Sequence, residues 1–200
     1  YELAKPDFDK AIELAPDDYD QLVEIYKVMD ETGYQEMGAA YLEAAVQNAP
    51  KTMGNYDKGR IYFYLGDFES ARNYLEQARD AGDAQATYYL VKTWENLGEY
   101  NYAASVYLSY LQDQGESALI YNQLALCYMQ LEDYTSALSA LQSGLALEDT
   151  ALKQTLSFNQ VVLYEKQGDF KQAAALMGKY VQDYPDDAAA VREYEFLRSR

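Results

Sequence analysis

A short motif of glycine, acid and aromatic returns along this chain at a nearly constant interval. It reads Gly66-Asp67-Phe68, Gly98-Glu99-Tyr100 and Gly168-Asp169-Phe170. Glu132-Asp133-Tyr134 has the same shape with the glycine replaced, and Gly33-Tyr34 is a shortened form. From Gly33 to Gly66 is 33 residues, followed by 32 to Gly98, 34 to Glu132 and 36 to Gly168. A fixed period of that length means one supersecondary unit repeated in an array, each copy covering its neighbour's apolar face.

Other columns keep the same frame. Five residues after each turn residue stand Gly38, Ala71, Ala103, Ala137 and Ala173, all small. Four before it stand Met29, Tyr62, Trp94, Tyr128 and Tyr164, all large, and nine after it Leu42, Leu75, Tyr107, Leu141 and Met177. Apolar residues recur at spacings of three and four on both sides of the turn, which predicts two amphipathic helices per unit. A glycine suits the left-handed residue ending the first helix, and the acid after it suits the start of the second. Seven residues before the turn the column reads Tyr26, Gly59, Val91, Ala125 and Val161. Tyr26 is the bulky exception, and its expected partner Gly38 is the only glycine of the small column, so volume is conserved.

These columns, with Pro50 and Pro185 closing two units, resemble the tetratricopeptide repeat, a unit of about 34 residues. The usual tryptophan slot instead holds Leu22, Asn55, Thr87, Tyr121 and Ser157, and Trp94 occupies a tyrosine slot. The stretch from Glu76 to Leu90, around Ala81-Gly82-Asp83, is similar to Sel-like helical repeats. The resemblance implies an all-α fold: a right-handed superhelical solenoid of stacked antiparallel helix pairs. In that frame residues 1–16 form a partial repeat, and 19–50, 52–82, 84–117, 118–151 and 154–187 form full repeats. Residues 188–200 form a C-terminal capping helix, with Val191, Tyr194 and Leu197 on its inner face and Glu195 and Arg198 outside.

Charge and composition narrow the function. The chain carries 33 acidic and 16 basic side chains, a formal charge of -17. That balance repels nucleic acid and anionic lipid. No histidine is present, which removes the commonest general base and metal ligand. Cys127 is the only cysteine, so neither an internal disulfide nor a thiolate metal cluster can form, and a buried inert thiol is expected. The acid pairs Asp17-Asp18 and Asp186-Asp187 each follow a proline at a unit boundary, where helix caps belong. No phosphate-cradling glycine loop or calcium loop occurs. Neither catalysis nor any cofactor or metal is expected. No stretch is long and apolar enough for membrane insertion. A first residue of Tyr1 in place of methionine suggests an upstream leader, and so a soluble bacterial protein that is exported or lipoprotein-anchored in preference to cytoplasmic.

What remains is recognition of a protein or peptide partner. The resemblance implies that first helices line a concave face, with slots six and ten residues before each turn turned towards it. The first of those columns reads Lys27, Arg60, Lys92, Leu126 and Val162, and the second Val23, Tyr56, Tyr88, Asn122 and Phe158. The expected groove is Lys27, Tyr56, Arg60, Tyr88, Tyr89, Lys92, Leu126, Phe158 and Val162, with Tyr64 beside it. Three exposed cations in successive units would favour an acidic ligand, and charge reversal at Arg60 should then leave stability unchanged. The competing reading is ordinary ion pairing along the helix: Glu24 and Glu31 flank Lys27, Asp57 precedes Arg60, and Glu95 follows Lys92. The two-carboxylate clamp of chaperone-binding members is absent; the window starting at Lys27 offers Val23, Lys27, Asp57, Gln85 and Tyr89. Two other roles stay open: an architectural module self-associating through its N-terminal end, and a small-molecule or saccharide sensor.

Overall fold

The computed structural model describes residues 3–147 and 150–200. Residues 1 and 2 of the partial repeat, and Glu148 and Asp149 of the unit placed at 118–151, lie outside the described residues. Among the described residues all regular structure is α-helical, and the chain is an all-α helical repeat of antiparallel pairs. It divides into two compact units, Tyr1–Gly98 and Glu99–Arg200.

The first unit holds α1 (Lys5–Leu14), α2 (Tyr19–Glu31), α3 (Gln35–Gln47), α4 (Asn55–Tyr64), α5 (Phe68–Asp80) and α6 (Gln85–Leu97). Its pairs are made by local chemistry at the turns. Gly66 has φ +76°, which lets its amide reach Phe63 O at 3.1 Å and the Asp67 amide reach Tyr62 O at 3.0 Å. Those bonds satisfy carbonyls that the end of α4 leaves open. Asp67 then accepts from the Ser70 amide at 3.1 Å and starts α5. Asp18 caps α2 in the same way, through the Gln21 amide at 2.9 Å. The apolar stripes meet in a core built on Leu42, Ile61, Leu75 and Leu90, none of which touches solvent. A β-carbon placed on Gly38 would lie 3.2 Å from Tyr26 Cδ2, so the large and small members of that pair do pack together.

α1 is the loosest element of this unit. It contains no fully buried residue, and Ile12 only borders the core. One tie to the rest is the Tyr41 hydroxyl, which donates to Asp9 Oδ1 at 2.6 Å. A cleft of about 260 Å³ opens between Ile12, Pro16, Tyr19, Leu22, Tyr41 and Ala45.

The second unit holds α7 (Tyr100–Gln114), α8 (Ala118–Gln130), α9 (Tyr134–Ala146), α10 (Thr150–Lys166), α11 (Phe170–Asp183) and α12 (Ala188–Arg198). Leu141, Leu156, Val161, Leu163 and Met177 fill its core, and Ala103, Ala137 and Ala173 of the small column are buried with them. Tyr180 ties three helices: its hydroxyl accepts from Gln154 Nε2 and donates to Asp187 Oδ2, both at 2.9 Å. Asp187 also caps α12, taking the Ala189 and Ala190 amides at 3.2 and 3.0 Å. The inner face of α12 differs from expectation. Ala190 and Leu197 are buried and the Tyr194 hydroxyl sits against Gly178, whereas Val191 is 39% exposed. Spacings of four and three from Ala190 follow the helical period, and a residue three before Tyr194 drifts off the stripe. Glu195 and Arg198 pair with each other outside, as their charge demands.

Candidate functional site

In the first unit, helices α2, α4 and α6 lie side by side and gather a continuous set of rings. Tyr26 and Tyr64 have centroids 5.6 Å apart, Tyr64 and Tyr89 5.9 Å, and Tyr56 and Tyr89 6.0 Å. Phe63 and Tyr88 complete the set, edge-on to Tyr89 at 5.5 and 5.2 Å. Tilted and edge-on contacts of this kind hold rings rigidly while leaving some faces free. The Tyr64 and Tyr89 hydroxyls meet at 3.3 Å. Burial first, and the neighbouring Tyr64 hydroxyl second, push the Tyr89 phenol far above its ordinary range, so it stays neutral.

The three basic residues belong to this face, but none is a bare cation. Lys27 Nζ bonds Glu24 at 2.7 Å and stands 5.6 Å above the Tyr64 ring. Lys92 bonds Glu95 at 2.8 Å. Arg60 departs most from the expectation of exposure. It is 6% exposed, its guanidinium lies 5.0 Å over Tyr56, Nη1 bonds Asp20, and Nη2 bonds Asp57 at 3.2 Å. Burial works against its charge, and the bonds to Asp20, the Tyr56 side chain and Asp57 outweigh burial, so its pKa rises. The Arg60 Nε is buried without a partner. Burial also raises the carboxyl of Asp57; Arg60 draws it down, and Asp20 and Asp83 push it up again.

An acidic ligand therefore loses its stated basis. Every cation of the column already has a carboxylate, and at Arg60 two carboxylates, Asp20 and Asp57, share one guanidinium. The sequence pointed to Asp57, which precedes Arg60 by one helical turn, and missed Asp20 and Asp83. Asp20 stands 40 residues away on another helix, so no local spacing announces it. Val23, expected beside the groove, is buried in the core.

The second unit carries the other expected groove residues. Leu126 on α8 is exposed, and Phe158 and Val162 on α10 are half-buried. Phe158 packs on Tyr180 at 5.5 Å. Beside them Asn159 Nδ2 donates to Oδ1 of the buried Asn122 at 2.7 Å. Further clefts, of about 260 and 440 Å³, adjoin Gln154 and Asp187. Among the described residues no helix is long and apolar enough to cross a membrane.

Comparisons with known proteins agree with this architecture. Models of the tetratricopeptide repeat match residues 56–118, 118–150 and 156–187, together more than half of the chain. A tetratricopeptide repeat protein of Parabacteroides merdae superposes with a TM-score of 0.64 at 18% identity, over 90% of this chain and 72% of that one. The Thermus thermophilus protein TTC0263 gives 0.59 at 19% identity, over 91% and 100%. YrrB, described as having an unusual peptide-binding site, gives 0.58 at 18% identity, over 94% and 97%. A search of curated proteins gives no match.

Proposed function

The chain belongs to the tetratricopeptide repeat family, and on that premise we propose that it is a non-catalytic scaffold holding a peptide segment of a partner protein. The segment lies on the first-helix side, the side that stacked repeats of this family make concave. One observation carries the reading: α2, α4 and α6 present rings locked against one another, with Tyr88 left 64% exposed at their edge. Tyrosine offers large contact area with little conformational entropy to lose, and a ring held in place loses less still. The solved peptide-binding relative YrrB supports the reading at the level of fold.

The test is a selection of peptides from a random display library, followed by calorimetry on variants. Affinity should drop in Tyr88→Ala and in Tyr56→Ala, and hold in Tyr110→Ala, an exposed tyrosine of the second unit. Selected peptides that respond to Tyr110 and ignore Tyr88 would move the site elsewhere. A second reading, self-association through the N-terminal end, draws on the thinly packed α1, its cleft of about 260 Å³ and the 73% exposed Leu14. Sedimentation showing a monomer that Leu14→Glu leaves unchanged would dismiss it.

A further inference from the structure

The rings of the first-helix face are already used as cation seats by the chain itself. Lys27 lies over Tyr64 with Glu24 as its counter-ion, and Arg60 lies over Tyr56 with Asp20 and Asp57. Both follow one design, a cation on an aromatic face with a carboxylate alongside, which gains from ring quadrupole and ion pair together.

One repeat along, the design is incomplete. Tyr88 occupies the slot that Tyr56 fills one unit earlier, ten residues before the turn. Arg60 stands four residues after Tyr56 and covers it; Lys92 stands four after Tyr88 and does not. Lys92 is bonded to Glu95 at 2.8 Å, on its C-terminal side, and so is engaged away from the ring. Among the described residues no cation lies over Tyr88. The counter-charge meanwhile is in surplus, since the two carboxylates of Asp20 and Asp57 share the single guanidinium of Arg60. Asp20 is mostly in solvent, with 82% of its side chain exposed, so its outer oxygen remains free to accept.

We infer that the partner segment is basic, and that it seats a lysine or arginine side chain on the open face of Tyr88, drawn in by the carboxylates Asp20 and Asp57, which outnumber the guanidinium they share. This deepens the peptide-binding reading and rests on it. It also reverses the ligand charge that the column of Lys27, Arg60 and Lys92 suggests in the sequence alone. A chain of formal charge -17 adds long-range attraction for such a segment, and that attraction weakens as salt shortens its reach.

The experiment uses the full chain, labelled with nitrogen-15, and three pools of synthetic octapeptides. In each pool alternate positions are random, and the others are fixed as arginine, glutamate or serine. Amide shifts should concentrate at Tyr56, Tyr88 and Tyr89 with the arginine pool. They should weaken about tenfold in apparent affinity for Tyr88→Ala and persist in Tyr88→Phe, which keeps the ring. Tyr88 is exposed, so the variants keep the fold, and an unchanged spectrum without peptide checks this. Glutamate or serine pools that act at these residues as strongly as arginine overturn the basic partner and leave peptide binding standing. Arginine-pool shifts scattered over both units and indifferent to Tyr88 mean unspecific attraction to an acidic chain, and also overturn it. No response of this face to any pool removes the peptide-binding reading itself.

Discussion

Gly59 on α4 approaches Leu75 on α5 so closely that a β-carbon on the glycine would sit 2.6 Å from the leucine Cγ and 3.1 Å from its backbone nitrogen. Leu75 has no solvent exposure and therefore no free direction in which to move. Gly59→Ala gains about 1 kcal/mol of helix propensity and meets an overpacking cost of about 1–3 kcal/mol. The expected outcome is a net loss of about 1 kcal/mol in urea denaturation followed by circular dichroism. A gain would mean that α4 and α5 can slide apart freely.

Glu132 stands where the other complete turns have glycine, and its φ of +58° is the only positive value among the described non-glycine residues. A side chain in that conformation crowds the following carbonyl, at about 1–2 kcal/mol. Glycine there would relieve the crowding and give back part of the gain through a more flexible unfolded chain. Glu132→Gly is expected to stabilise by about 0.5–1 kcal/mol, and Gly66→Ala to destabilise by a similar amount. Thermal unfolding of both variants checks the pair of signs.

Arg60→Glu should unfold the protein at lower temperature, contrary to what an exposed cation would do. The substitution leaves Asp57 without its counter-charge beside Asp20 and Asp83, and puts a fourth carboxylate among them. Breaking a buried pair by removing one partner typically costs about 3–5 kcal/mol, and the open side at Asp20 brings the expectation down to about 2–4. Asp20→Asn should do far less, since Asp57 still holds the guanidinium. An unchanged melting temperature in Arg60→Glu would contradict the burial of that side chain.

Glu165 on α10 keeps Oε1 buried without a partner, and burial, then the charge of Glu193 on α12, raises its carboxyl above the ordinary 4.5. The folded state therefore holds this proton more tightly than the unfolded state does. Its favourable contribution is complete below about pH 4.5 and is lost as pH rises through the folded value. Glu165→Gln should raise stability at pH 7, with the advantage shrinking towards pH 4.5. Urea titrations at the two pH values measure it; an advantage equal at both would assign the effect to shape and not to charge.

The repeat frame was legible in the sequence because its causes are local. A left-handed residue, a cap and a stripe at the helical period each act within a few residues, so Gly66, Asp67 and Leu75 announce a helix pair without reference to the rest of the chain. Tyr26 against Gly38 was legible for a related reason, since exchanged volumes in two aligned columns show in the columns themselves. The character of the ligand face was not. Whether Arg60 is a free cation depends on Asp20, 40 residues earlier on another helix, and on a Tyr56 ring that removes it from water. Lys92 and Arg60 share one column and one spacing from a tyrosine. One turns to Glu95 while the other lies on its ring. Charge acts through space and through the dielectric that packing creates, and neither is a property of position along a chain. Helix pairing followed from the order of residues; the sign of the surface those pairs present was decided only when α2, α4 and α6 came together.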